Sequence, residues 1–167
     1  MFQDLFTQLT TFVSGLEPWQ QVLALIPAGA IPFIESYLGS FLGSVVGVHP
    51  ALAIPAAVLG NLLATLGLTA LAVRARRAVT ARVGGGTQPS TAPKESRFRQ
   101  KVAAALDRYG VPGVCLLGPI IVASQITAPT LIALGASTGR VYLWMTVSII
   151  LWGLVFGLFG GAVATVV

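Results

Sequence analysis

The sequence predicts an all-α integral membrane protein built from two repeats of inverted topology, each an amphipathic helix, a re-entrant broken hairpin and a transmembrane helix. Three observations predict it. The chain is 55% hydrophobic and 9% charged with a mean hydropathy of +0.86, too apolar for a soluble domain of 167 residues. Its intact apolar stretches alternate with apolar stretches broken by proline and glycine, in the same order in both halves. Nine of its ten Lys and Arg residues, from Arg74 to Arg108, lie between the two halves, leaving only Arg140 outside. A topology signal explains these charges better than nucleic-acid binding, because no aromatic or metal-ligand pattern accompanies them.

In residues 1–16, Phe2, Leu5, Phe6, Leu9, Phe12, Val13 and Leu16 fall at helical spacing, opposite Gln3, Asp4, Gln8 and Ser14. That helix is too short to span, so it is expected in the membrane interface or against the bundle. The opening MFQDLF has no basic n-region and no small-residue cleavage site follows, so no removable signal is expected.

From Leu23 to Gly47 runs LALIPAGAIPFIESYLGSFLGSVVG, long enough to enter a bilayer but broken by Pro27, Gly29 and Pro32. Irregular backbone at membrane depth must be satisfied by protein or by a water-filled cavity. The single carboxylate of the run, Glu35, therefore marks a candidate functional cavity. Gly39, Gly43 and Gly47, spaced by four, would allow close approach of a neighbouring helix. His49-Pro50 forces a turn, with His49 either a polar turn residue or a proton relay.

Residues 51–73 are apolar without interruption and match a spanning helix. Within them Asn61 is an interhelical hydrogen-bonding or a cavity-lining residue. The basic connection follows, and the positive-inside rule places residues 74–108 in the cytoplasm, with Val83 to Pro93 a flexible linker. Phe98, Val102, Ala105, Leu106 and Tyr109 mark a second surface helix whose basic face meets anionic headgroups.

A second interrupted segment follows Gly110, with breaks expected at Pro112-Gly113, Gly118-Pro119 and Pro129 around polar Ser124, Gln125 and Thr127. Residues 141–167 form the last spanning helix, opened by Tyr142 and Trp144, with Gly153, Gly157 and Gly161 again spaced by four for helix packing. Shifting the chain by 92 residues lays Phe6 on Phe98, Pro27 on Pro119, Gly43 on Gly135 and Gly47 on Gly139. The division expected is one membrane domain: a first repeat over 1–73, a basic linker over 74–93 and a second repeat over 94–167. Four full spans is the competing topology. Inverted repeats that meet at broken helices are the architecture of secondary transporters.

Gly29-Ala30-Ile31-Pro32 followed by Phe33-Ile34-Glu35, the Gly60-Asn61 pair and Arg108-Tyr109-Gly110 resemble the small multidrug export family, a relative of the DedA/VTT-like membrane proteins. The resemblance implies two inverted repeats and the movement of hydrophobic cations or lipid-linked anions, often coupled to protons. The chain departs from that pattern in two places. Ile26, Pro27 and Ala28 stand where many members carry Glu-Leu-Arg, and the second hairpin offers Ser124, Gln125 and Thr127 where DedA-type proteins carry an arginine. Without a guanidinium fork a phosphate is poorly held at depth, so a cation or a proton suits the site better.

The expected function is proton-coupled export of small lipophilic cations across the cell membrane, through a site comprising Glu35, Pro32, Asn61, Ser124, Gln125, Thr127 and Pro119. Burial disfavours the charged form of a carboxylate, so Glu35 would exchange a proton for a cation. The alternatives are a DedA-type lipid or polyprenyl-phosphate flippase, and a non-transporting scaffold in which Glu35 satisfies backbone freed by Pro32. No cofactor, metal or nucleic acid is expected, and enzyme chemistry is disfavoured because one His and one Cys make no metal site alone. The expected partners are membrane lipids, the small hydrophobic substrate and a second copy in a homodimer, since two spanning helices enclose little space.

Overall fold

The computed structural model describes residues 2–82 and 97–166, which form seven helices and no strand. They are α1 (Phe2–Ser14), α2 (Pro18–Ala30), α3 (Glu35–Val45), α4 (Pro50–Arg82), α5 (Arg97–Ile121), α6 (Ser124–Ala133) and α7 (Thr138–Ala164). The linker expected at Val83 to Pro93 lies outside the described residues. Two helices are long and apolar enough to cross a membrane: α4 over Pro50–Val79, with hydropathy 1.9, and α7, with hydropathy 2.2. Their outward side chains, such as Leu63 at 63% and Leu158 at 59% exposure, present the apolar surface that lipid tolerates and water does not.

The chain divides into two compact units, Met1–Thr65 with Thr146–Val167, and Leu66–Met145. In the first unit α1 ends where Gly15 and Leu16 donate to the carbonyls of Phe12 and Val13. Pro18 opens α2, and the Glu17 N–H donates to Gln20 Oε1, holding the first turn. Part of the apolar stripe of α1 packs inward: Val13 joins Leu25, Leu42, Val48, Ala53 and Ala56 in one core, with Phe6 and Leu9 packed on it, while Leu5 and Phe12 are exposed. Helix α3 folds back along α2, with Gly39 beside Gly29 and Gly43 against Leu25, an antiparallel register.

The break between the arms lies at residues 31–34, past Pro27, which sits inside α2. A proline deep in a helix loses one backbone hydrogen bond, and packing neighbours absorb that cost in a bundle. The reversal at the tip instead needs left-handed backbone, at Phe33 (φ 70°) and Glu35 (φ 52°). At the other end α3 closes with Gly47 N–H on the Ser44 carbonyl and Val48 N–H on the Gly43 carbonyl, Gly47 taking φ 100°. Gly47 is therefore the helix cap, with open space around it, whereas Gly39 and Gly43 face neighbouring helices. His49 caps α4, its Nδ1 accepting the Ala51 N–H.

Backbone contact fixes α2 on α4. A Cβ on Gly29 would overlap the Ala57 carbonyl, and one on Gly60 would overlap the Ile26 carbonyl. Helix α7 is held by its glycine row: Gly153 faces Val58, Gly157 faces Ile54 and Gly161 faces Pro50, so α7 runs antiparallel to the first half of α4. The same row faces Ser36 and Ser40, making α7 parallel to α3. Tyr37 meets Phe156 edge-on and Phe41 stacks on Phe159 along that seam.

In the second unit α5 is broken at Gly110 (φ 65°) and its second arm runs to Ile121, through Pro112 and Pro119. The break expected at Gly118-Pro119 thus falls later, at Val122 and Ala123, and α6 continues through Pro129. Helix α6 packs on α5 and ends as α3 does, with Gly135 N–H on Ile132 O and Ala136 N–H on Leu131 O, and φ 95° at Gly135. A shift of 88 residues carries Gly47 onto Gly135 and the start of α4 onto the start of α7, four fewer than sequence identities suggest. The Arg76 guanidinium also donates to Ile132 O at 3.2 Å, placing a cation at the negative end of α6.

Replacing Gly60 by valine is expected to cost about 3 kcal/mol or more, because the obstructing atoms are backbone. Gly67, which has nothing within 4 Å, serves as control. Gly67→Ala is expected to be neutral or to gain about 0.5–1 kcal/mol. Chemical unfolding in detergent micelles, followed by circular dichroism, distinguishes the two.

Candidate functional site

Glu35 opens α3 and is 1% exposed, its backbone in a conformation that non-glycine residues rarely adopt. Strain of this kind persists only where the surroundings over-determine it, and it concentrates at functional sites. The hydrogen bonds around the tip supply part of that constraint: the Ile31 carbonyl accepts the N–H groups of Ile34 and Glu35 at 3.2 and 3.0 Å.

Asn61 follows Gly60 on α4, and the close contact of Gly60 with α2 brings its side chain to the tip. Its Nδ2 donates to Glu35 Oε2 at 3.4 Å and to Ser36 Oγ at 3.5 Å. Thr65, one turn further along α4, donates its hydroxyl to Asn61 Oδ1 at 3.0 Å. Because the amide oxygen accepts from Thr65, the NH2 group is the end that faces the carboxylate. Ser36 donates to the Ile149 carbonyl at 2.8 Å, joining α3 to α7. All of these groups are buried, and all belong to the first unit.

That unit contains Asp4, Glu17 and Glu35 but no Lys or Arg. A charged carboxylate out of water is costly unless it is paired or hydrogen-bonded, and Asn61 supplies one such hydrogen bond to Glu35.

The other residues expected at the site divide between the two units. Pro32 is exposed beside the tip. Ser124, Gln125, Thr127 and Pro119 lie in the second unit, buried, at the break between α5 and α6. Thr127 donates to the carbonyls of Val122 and Ala123, both at 3.2 Å, and a Cβ on Gly118 would lie 3.1 Å from its methyl group, so its hydroxyl holds the turn closed. Ser124 Oγ reaches Gln125 Oε1 at 3.5 Å.

Sequence reasoning missed Ser36, and it reads Thr65 only as part of a small or polar face for helix contact with Gly60, Asn61 and Gly67. The signal was present: Thr65 follows Asn61 by four residues, and Ser36 adjoins Glu35, so both lie one helical step from residues already singled out. A separate groove of about 420 Å³ lies between α1 and α3, lined by Gln3, Phe6, Thr7, Leu38 and Phe41.

No protein-family model, curated protein or solved structure matches this chain.

Thr65→Val preserves shape but withdraws a donor from the buried Asn61 oxygen, and is expected to cost about 1–3 kcal/mol. Thr65→Ser keeps the hydroxyl and is expected to lose less than half as much. Urea unfolding in micelles reads the difference.

Proposed function

We propose that this chain is a proton-coupled membrane exporter of small lipophilic cations in which Glu35 takes up a proton or the cation in turn. The observation that carries this reading is the burial of Glu35 at a strained hairpin tip, where the Asn61 amide donates to it. A proton and a cation compete for one carboxylate, and such competition couples their opposite movements when the site opens to alternate sides. Asn61 stabilises the ionised form by donating to it, and Thr65 holds the amide in that orientation.

The topology that accompanies this function is two inverted repeats with re-entrant hairpins, the basic connection between them being cytoplasmic. Several features support it. Helix α2 has 13 residues, α3 has 11 and α6 has 10, so each arm reaches about 15–20 Å, well short of a hydrocarbon core of about 30 Å. The antiparallel packing of α7 on α4 is the sharper argument. With four successive spans the second and fourth would run in the same direction, whereas inverted repeats make their long helices opposite. The matching glycine caps of α3 and α6, each followed directly by a long helix, support the same reading.

A second reading, lipid translocation, is favoured by the groove between α1 and α3. Phe6, Leu38 and Phe41 offer an acyl chain an apolar bed, while Gln3 and Thr7 offer a headgroup hydrogen bonds. Transbilayer movement of labelled phospholipid in proteoliposomes, with and without a pH gradient, separates this activity from cation export.

In proteoliposomes, Glu35→Gln is expected to abolish proton movement driven by a lipophilic cation while leaving a folded, monodisperse protein. Undiminished proton movement in that variant would overturn the reading. For topology, single cysteines at positions 49 and 140, both exposed, are introduced after Cys115→Ser. Impermeant thiol reagents are expected to label them from opposite faces of the membrane, whereas four spans require labelling from the same face.

A further inference from the structure

Along α3, Ser36, Ser40 and Ser44 recur every four residues and so form one row, which begins next to Glu35. All three are at most 3% exposed. Ser40 Oγ and Ser44 Oγ have no hydrogen-bond partner among the described residues, and neither has Ser148 Oγ on α7, one residue before the carbonyl that accepts from Ser36. Serine hydroxyls in helices ordinarily turn back onto the carbonyl four residues earlier, as Thr10 and Thr130 do in this chain. Buried hydroxyls that forgo that bond on two facing helices need another partner, since an unmet buried polar group is costly.

The geometry suits water. Successive hydroxyls of the row are separated by one turn, about 6 Å along the axis, which is too far for a direct hydrogen bond and right for one bridging molecule. The opposing wall is the glycine row of α7, where Gly153 and Gly157 face Ser36 and Ser40 and contribute no side chain. The inner end of the row is tied to the carboxylate, because Asn61 donates to both Glu35 and Ser36. Its outer end is the last turn of α3, beside the exposed Gly47 and His49.

We infer that Ser40 and Ser44, in a row anchored at Ser36, form a hydrated hydroxyl path carrying protons between Glu35 and the aqueous face at the α3–α4 turn. The path is about 14 Å long. It rests on the proposed role of Glu35 and adds the route by which the proton arrives: Ser40 and Ser44 each accept a hydrogen bond from one water and donate to the next, while Ser36, whose proton is held by the Ile149 carbonyl, anchors the inner end as an acceptor, so a proton is relayed with no group permanently ionised. Only one face is served, as alternating access requires.

Two measurements test it. In the Cys115→Ser background, Ser44→Cys and Ser40→Cys are expected to react with a small charged methanethiosulfonate added from the side that labels position 49, Ser44→Cys the faster. Leu42→Cys, on the packed face of the same helix and 0% exposed, is expected to stay unreactive. Serine positions as inert as Leu42→Cys would overturn the path. The second measurement uses Ser40→Ala with Ser44→Ala, changes that helices accept readily. Proton uptake at Glu35 is expected to slow at least about tenfold in that variant, with cation binding at equilibrium unchanged and Ser→Thr at both positions restoring the rate. An unaltered rate together with a raised melting temperature would mean that the hydroxyls are dry and would overturn the path. Because thiol accessibility needs no transport, labelled serine positions alongside a coupled Glu35→Gln variant would retain the water path and discard the role of Glu35.

Discussion

The contact on which the first unit depends is the meeting of backbones at Gly29 and Gly60. Each glycine lies against a carbonyl of the other helix, Gly29 on Ala57 and Gly60 on Ile26, where a Cβ has no room. Without strong hydrophobic attraction between helices inside a bilayer, association relies on close van der Waals packing, and small residues supply it. This contact also sets the chemistry. Asn61 is the residue after Gly60, so the approach that seats α4 on α2 delivers an amide to the carboxylate at the hairpin tip. Glu35 and Asn61 are 26 positions apart in the chain, and two glycines bring them together.

Helix α3 shows how one short element serves two neighbours. Its sequence alternates glycine and serine as adjacent pairs, Gly39-Ser40 and Gly43-Ser44. The glycines face α2 and α4, at Gly29, Leu25, Ala57 and Ala53, while Ser36 and Ser40 face α7. Adjacent residues on a helix are displaced by about 100° around the axis, so a doublet repeated every four residues yields two parallel stripes, one for packing and one polar. The pairing of Gly153 and Gly157 with the polar stripe explains why the last segment, Thr146–Val167, clusters with the first sixty-five residues and not with those it follows. Its glycines seat α7 against Val58 and Ile54 of α4 as well as against the serines of α3.

Much of the helical layout was legible because it rests on apolar periodicity and length. The amphipathic stripe of α1 and the uninterrupted apolar runs of α4 and α7 follow from local pattern, whereas the break expected at Pro112-Gly113 falls at Gly110. The hairpin tips were not, because proline was given too much weight as a breaker: Pro27, Pro119 and Pro129 sit within helices, and the reversals fall at residues 31–34 and 122–123. A proline costs a helix one hydrogen bond, whereas a reversal needs several residues out of helical geometry, and at the first tip these are Phe33 and Glu35, residue types that give no turn signal. Gly47 illustrates the opposite difficulty. Its spacing from Gly39 and Gly43 suggests packing, yet it caps α3, because a glycine used for left-handed φ and one used for close approach look alike in sequence. Of the candidate site, Glu35 and Asn61 were singled out by the sequence. Ser36 and Thr65 were obscured because small hydroxyl residues are common on packing faces and only burial and pairing distinguish them.

Charge is partitioned along the chain as sharply as packing. Every Lys and Arg lies within Leu66–Met145, and the unit that holds Glu35 has none. The hydrogen bond from the neutral Asn61 amide favours the anionic form of Glu35 without adding a charge of its own. Within this unit the buried carboxylate is supported by Asn61, which Thr65 orients, and it stands at the head of a serine row, so polar groups of α3 and α4 converge on one hairpin tip.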